Sequence, residues 1–508
     1  MRAHLTPRWV PAFGLAFVLF VSVACLAPVE AATLALGWRY RSNADLASAL
    51  DALHAGPCSG MSSLTSIGTS VKGEEIRVLE VSADPGRTQP KPTFAFLGNM
   101  HGDEPVGREL ILRLAELVCV AAKKGKADDD QVMDGIITVA EEGDDLYYAT
   151  ALRLATSTRL FFAPSINPDG FQSHARNNAN GKDLNRDWPD QYNEVSMPDL
   201  LDTRQPETAS IMKWSKLINA TAALNFHEGA VVANYPWDAK AGSKRSVYAE
   251  APDDTTFKRL ASAYANGHPT MHKSKEFVGG ITNGANWYPL WGGMQDWHYI
   301  QTQTMDITIE VNDEKWPEEE VLAKVWRDHR GGIFACAEMA TKGALRGFVR
   351  DAKSNKALPS AALIMDNRDM PFAPNALGFF ARPVSGNDNS KRFDVTITAS
   401  HPGYVTVSET VFVDPVEGGD VSFALVKTSD GGDLGDIGAS IEGGLSDGTG
   451  NSSPRRLEPA TVNVENERRH PEATWGAVAF VVVAVAATVR RRRARGGVRR
   501  GGSRVEGV

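Results

Sequence analysis

Four residues of this 508-residue chain have the types and placement that metal-assisted hydrolysis would need: His101, Glu104, His227 and Glu310. His101 and Glu104 stand three apart in FLGNMHGDEPVGRE, where an apolar run gives way to a helix-like one. Neither helps to bury a core, and imidazole with carboxylate is a donor set that suits zinc. A catalytic zinc site takes three protein ligands and leaves one position open. His227, at the end of the apolar run in AALNFHEGA, is the best candidate for the third. Alone, the H-x-x-E pair is a weak signal, because scattered His and Glu residues produce it by chance. Such a site also needs a carboxylate that takes a proton from water and returns it to a leaving amine. Glu310, in QTMDITIEVNDE, sits in a β-branched run where a carboxylate is costly unless something uses it. The run reads equally as an edge strand, with Asp306, Thr308 and Glu310 on one outward face.

The segment NPDGFQSHARNNANGKDLNRDWPD (167–190) gathers Arg176, Asn185 and Arg186 beside Asp183. Two arginines and an amide do not enter a core unpaired, so they face solvent or an anion. Guanidinium forks match a carboxylate two-pronged, which would suit the C-terminus of a peptide. The plainer reading is a polar surface loop paired with its own aspartates.

These residues need elements to hold them. TFAFLGN reads as a buried strand, Pro105 suits a first helical position, and Val106, Leu110, Leu114 and Leu117 form one helical stripe. His101 and Glu104 thus lie at the C-terminal end of a strand, where open α/β sheets place ligands. From 38 to 342 strand-like and helix-like segments alternate, which argues α/β with a largely parallel or mixed sheet. From 343 to 427 short β-type runs separated by turn residues predict a small β-sandwich. The Gly-, Ser- and Asp-rich stretch over 428–473 reads as a flexible linker or stalk.

The ends of the chain carry addresses rather than core. Residues 1–31 have the basic, apolar and small-residue layout of a secretory signal peptide; an uncleaved anchor is the rival. Residues 474–489 are apolar without a break and run straight into seven arginines within 490–500. That order predicts one membrane span with the basic tail 490–508 in the cytoplasm and the bulk of the chain outside or lumenal. A processed sorting tail, giving a secreted protein, is the alternative. Net charge is −8 despite the arginine cluster, so the body is acidic, which tolerates cationic substrates and disfavours nucleic acid. Of the four cysteines, Cys25 leaves with the leader, and Cys58, Cys119 and Cys336 allow one disulfide of unspecified pairing. Cys119, in an apolar helix, reads as a buried free thiol. Asn219 and Asn451 head glycan acceptor triplets.

Taken together, MHGDEPVGRELILRLAELV, NPDGF, ARNNANGKDLNRDWPD, HEGAVVANYPWD, GGITNGANWYPLWGGMQDW and TIEV resemble the zinc metallocarboxypeptidases of the regulatory N/E branch, which includes carboxypeptidases D, E, M and N. The resemblance spans roughly 38–342, and residues 343–427 resemble the transthyretin-like domain that follows it in that branch. It implies a zinc carboxypeptidase fold, a central mixed sheet flanked by helices, followed by a small all-β sandwich. By the same resemblance His101, Glu104 and His227 bind one zinc ion and Asp183 orients His101. Arg176 polarises the scissile carbonyl, and Glu310 is the general acid/base. Asn185 and Arg186 grip the terminal carboxylate while Tyr288 closes over the substrate. Asp238, with Gln295 beside it, pairs with a substrate Lys or Arg side chain. The implied partners are peptides or proteins ending in Lys or Arg. An inactive peptidase fold that binds such ends, or a carboxypeptidase of non-basic specificity, are the alternatives. Glu228 stands where relatives commonly have glycine. His268 and His272, in HPTMH, mimic a metal pair but fall in a helical stretch of the pattern and read as structural. No long segment separates the leader from the catalytic part, so the enzyme is expected to be made active.

Overall fold

In the computed structural model, which describes residues 37–125, 143–192 and 200–430 apart from 367, 369 and 387–390, the apolar runs of the N-terminal part pair into one sheet of eight strands. In chain order these are β1 (Ser62–Thr69), β2 (Glu75–Val81), β3 (Thr93–Gly98), β4 (Arg159–Ala163), β5 (Ala222–His227), β6 (Ala230–Tyr235), β7 (Ile281–Asn283) and β8 (Met305–Asn312). Their spatial order is β1-β2-β4-β3-β5-β8-β6-β7, parallel from β4 through β8 and antiparallel at β1/β2, β2/β4 and β6/β8. The sheet is therefore mixed.

Side chains alternate between the two faces along each strand. Phe94 and Phe96 of β3 join one apolar cluster, while Ala95 and Leu97 join another. The first cluster is covered by α1 (Asn43–Ala55), α2 (Val106–Lys124), α3 (Tyr148–Ser157), α6 (Asp254–Gly267) and α9 (Glu319–Thr341). The second lies beneath α5 (Pro206–Ile218) and the short α8 (Met294–Trp297). Each phenylalanine shut into this core contributes roughly 1.5–3 kcal/mol. Two further short helices, α4 (Pro168–Gln172) and α7 (Gly284–Trp287), belong to the loops above the strand ends.

Strand β8 lies inside the sheet, between β5 and β6. Met305, Ile307, Ile309 and Val311 enter the first cluster, so Asp306, Thr308 and Glu310 face the other way. All three are nonetheless buried, which removes the edge-strand reading of Glu310.

Helix α2 departs from the one-stripe expectation, for it is buried on every side from Val106 to Ala122. Its charged residues are paired instead of solvated: Glu109 with Arg41, and Arg113 with Glu116 at 2.7 Å. Pro105 sits one residue earlier than predicted, as the N-cap. Cys119 is no free thiol; it is bonded to Cys58, tying α2 to the segment after α1, and the buried free cysteine is Cys336.

Beyond α9 the chain forms two small sheets, the first antiparallel and the second mixed. One is β10 (Ala362–Met365), β12 (Phe393–Ser400) and β13 (Val407–Val413); the other joins β9 (Ala344–Asp351) to β11 (Phe379–Pro383), β14 (Gly419–Asp420) and β15 (Phe423–Leu425). Leu345, Leu363, Phe380, Ile397 and Leu425 meet in the core between them. Asp253, buried in the first part, receives Arg368 at 2.5 Å and Arg382 at 2.6 Å from this second part. Thr428–Asp430, read as the start of the linker, form a 3₁₀ turn, with Thr428 N–H donating to the Gly403 carbonyl.

The leader at 1–31, the linker beyond 430, the apolar stretch 474–489, the tail 490–508 and Asn451 lie outside the described residues. Among the described residues, no helix is long and apolar enough to cross a membrane. Asn219 ends α5 in the left-handed conformation, half-buried.

Candidate active site

The loop after β3 is folded by its own side chains. Asn99 adopts φ 58°, a conformation asparagine tolerates better than most residues, and its Nδ2 donates to the carbonyls of His101 and Gly102 at 2.8 and 3.3 Å. A Cβ on Gly102 would lie 2.0 Å from the Gly170 backbone, so only glycine lets this loop rest on α4. His101 and Glu104 are thereby presented above the strand ends. His227 comes from the last residue of β5, the strand paired directly with β3, at the same edge.

Three buried ligand atoms converge there. The Nδ1 atoms of His101 and His227 are 3.2 Å apart, and each lies within 3.0 Å of Glu104 Oε2. Two imidazole nitrogens and a carboxylate oxygen turned on one point want a cation between them. The outer nitrogens agree. His101 Nε2 is 3.0 Å from Asp183 Oδ1, and His227 Nε2 is 3.0 Å from the Asn225 side-chain amide. Asn225 Oδ1 is buried without a partner among the described residues, and turning the amide brings it onto that nitrogen. Both rings then hold their proton on Nε2 and offer Nδ1, the arrangement of a ligating histidine. The donor set fits zinc.

Asp183 serves more than His101. Its Oδ2 accepts from Arg176 Nε at 3.0 Å, and its Oδ1 accepts the Asn185 N–H at 2.9 Å, capping the short turn Leu184–Arg186. One carboxylate thus orients the histidine, Arg176 and the turn that carries Asn185 and Arg186. Burial opposes its charge, but the hydrogen bond and charge of His101, followed by Arg176, hold its carboxyl well below the usual range. Arg176 Nη1 reaches into the cradle, 3.2 Å from Glu104 Oε1. Asn185 Oδ1 accepts the Met294 N–H at 3.0 Å, so its NH₂ group is the end turned to donate toward an incoming carboxylate. Arg186 is exposed on the rim.

Glu310 stands beside His227 in the parallel register of β8 and β5. Its Oε2 is buried and accepts no hydrogen bond among the described residues. Burial, followed by the charge of Glu104, pushes its carboxyl up to about 8. A cation in the neighbouring cradle would offset the second cause. Tyr288, 41% exposed, packs edge-on against Trp287. Burial and the charges of Glu310 and Asp238 push its hydroxyl up to about 12.

A second recess is built around Asp238. Its Oδ1 accepts from Gln295 Nε2 at 3.1 Å and from Asn234 Nδ2 at 3.3 Å. Gln295 cannot turn round, because its Oε1 takes the Thr308 N–H at 3.0 Å. Glycine keeps the recess open: a Cβ on Gly284 would fall 1.9 Å from Asp238 Oδ1, and one on Gly293 3.2 Å from Oδ2.

All eleven residues singled out from the sequence therefore lie in one of these two adjoining groups. His268 and His272 do not; they follow α6 rather than lying in it. His268 Nδ1 accepts the Met271 N–H at 2.9 Å and its ring packs on His329. Glu228, noted only for standing where relatives commonly have glycine, is a buried tie: its carboxylate accepts the N–H of Val106 at 2.6 Å and of Trp316 at 2.8 Å. Sequence reading missed Asn225 and Lys315. Asn225 was findable as an amide two residues before His227, on the same face of a buried strand. Lys315 Nζ lies 2.6 Å from Glu104 Oε1, and nothing in its local sequence announces that.

A family model described as zinc carboxypeptidase matches residues 47–332. Carboxypeptidase SOL1 of Arabidopsis thaliana is 39% identical over 356 residues, covering 70% of this chain and 66% of the relative. Carboxypeptidase D of Mus musculus is 34% identical over 385 residues, covering 72% of this chain and 25% of the relative. The carboxypeptidase N catalytic chain of Mus musculus is 33% identical over 428 residues, covering 77% and 87%. The chain thus spans about two thirds of the plant relative's length and a quarter of that of carboxypeptidase D.

Proposed function

The chain belongs to the zinc carboxypeptidase family, and we propose that it is an exopeptidase releasing C-terminal Lys or Arg from peptides or proteins. The observation that carries this reading is the convergence of His101, Glu104 and His227 beside the unpartnered Glu310 Oε2, next to a recess closed by Asp238.

His101, Glu104 and His227 would hold one zinc ion. When bound, zinc supplies Lewis-acid chemistry, polarising a carbonyl and making water nucleophilic near neutral pH. Glu310 takes the proton of the attacking water on Oε2 and returns it to the nitrogen of the departing amino acid. Arg176 donates to the oxygen on which charge develops; losing one such donor costs about 10²–10³ in rate. Asn185 and Arg186 hold the terminal carboxylate, so an internal peptide bond has no grip here. Tyr288 closes over the bound end, and Asp238 meets the basic side chain. The intact donor set and Glu310 favour an enzyme over an inactive binding protein.

The wider setting is proposed on the sequence pattern: a leader at 1–31, a span at 474–489, a glycan at Asn219, and a catalytic part outside or in the lumen, followed by a transthyretin-like domain over 343–427. The Cys58–Cys119 disulfide supports an oxidising compartment.

The test compares peptides alike except for a C-terminal Arg, Lys or Leu, using the purified full chain. Release of Arg and Lys well ahead of Leu is expected. Equal release of all three, or none, would sink the basic-specificity reading.

A further inference from the structure

The recess around Asp238 contains a second carboxylate that no role above uses. Asp296 is buried on α8, and its two oxygens accept the Asp238 backbone N–H at 3.2 and 3.0 Å. Its Oδ2 also takes Gln191 Nε2 at 2.8 Å. On its other side Asp238 is pinned through its carbonyl, which accepts the Leu290 N–H at 2.7 Å. Asp296 therefore fixes the main chain from which the Asp238 side chain springs.

It also crowds that side chain electrically. Neither acid makes an ion pair among the described residues. The charged groups around them are Asp190 from the segment before Tyr192, Arg186 from the capped turn, and Asp306 from β8. Asp306 is itself matched to His298 at 2.7 Å. Acids so outnumber the cations nearby, in a site shut from water. Two such neighbours cannot both carry full charge without a counter-ion. Burial first, with the Asp306 charge adding, pushes the Asp238 carboxyl up to about 7; burial, followed by the charge of Asp238, also holds the Asp296 carboxyl well above the usual range.

We infer that Asp296 is a second specificity-determining carboxylate of this recess, acting through Asp238 as a positioning residue, and that an entering cationic side chain replaces a proton held on the pair. The inference rests on the reading of Asp238 as the partner of a basic side chain. The recess is then neutralised in turn by a proton and by the substrate. Recognition of a basic end strengthens as pH rises through about 7, while the hydrolytic groups elsewhere keep their own profile.

The test uses the zinc-loaded full chain and free L-arginine, with heats of binding measured at pH 7 in two buffers of different ionisation enthalpy. Net proton release on binding is expected in the native protein. For Asp296→Asn we expect a KM raised about tenfold for an arginine-terminated peptide, a kcat within about twofold, and no proton release, with each tenfold equivalent to 1.4 kcal/mol. A leucine-terminated peptide should see little change. Arginine binding without proton release in the native protein would overturn the inference, and needs no variant to fold. So would a loss of kcat shared by both peptides, which marks a merely structural role. No arginine binding at all would instead overturn the underlying assignment of Asp238, and the inference with it.

Discussion

A residue's chemistry here is set by what its far side touches. His101 and His227 face each other through Nδ1 because Asp183 and Asn225 stand at their Nε2 atoms. Removing such a partner typically costs 10–100-fold in metal affinity. Asn225→Ala should therefore lose zinc about 10–100 times more readily to a competing chelator, with the fold intact by circular dichroism; unchanged retention would show that the amide does not orient the ring. Glu310→Gln keeps the shape of the buried side chain but cannot take a proton. Its kcat on an arginine-terminated peptide should fall by about 10²–10⁴, the usual worth of acid/base assistance, with zinc content unchanged. Near-native turnover would remove Glu310 from the mechanism. At this scale the sequence was informative wherever a polar residue interrupted an apolar run, as with His227 and Glu310. It was silent about Lys315 and Asp296, whose partners lie 211 residues and 58 residues away, respectively, and meet them only through folding.

Among elements, the loop between β3 and α2 is held by close backbone approach. A Cβ at Gly102 would fall 2.0 Å from Gly170 C, 2.3 Å from Phe171 N and 2.4 Å from Ala175 O, all main-chain atoms that cannot swing aside. Gly102→Ala should cost about 1–3 kcal/mol, read as a lower denaturant midpoint, and should loosen Arg176, whose carbonyl accepts the Gly102 N–H. A midpoint equal to the parent's would contradict that packing. Strand β3 was legible as a nearly continuous apolar run, β5 as the strand-like run that ends at His227, and β8 as a β-branched stretch alternating with polar residues. The full burial of α2 was not, since Arg108, Glu109 and Arg113 look solvated until their partners, drawn from distant segments, are known. The same holds for Cys119, whose partner Cys58 is 61 residues away.

Over the whole molecule, strand order does the assembling. Placing β8 between β5 and β6 sets Glu310 directly beside His227, although 83 residues separate them in sequence. Alternation of segments predicted an α/β sheet but could not rank its strands, because pairing is decided by packing rather than by local pattern. The two parts of the chain are also joined more firmly than their sequences suggest. Asp253 is shared between Arg368 and Arg382, and Arg259 donates to the Val384 carbonyl at 2.8 Å. The central claim is that this assembly holds one catalytic zinc. The most direct check is metal analysis of the purified full chain together with its release of arginine from a peptide, before chelation, after it, and after zinc is restored. About one zinc per chain is expected, with release abolished by the chelator and recovered with zinc. A chain that neither contains nor takes up zinc, or that releases arginine equally well without it, would contradict the account.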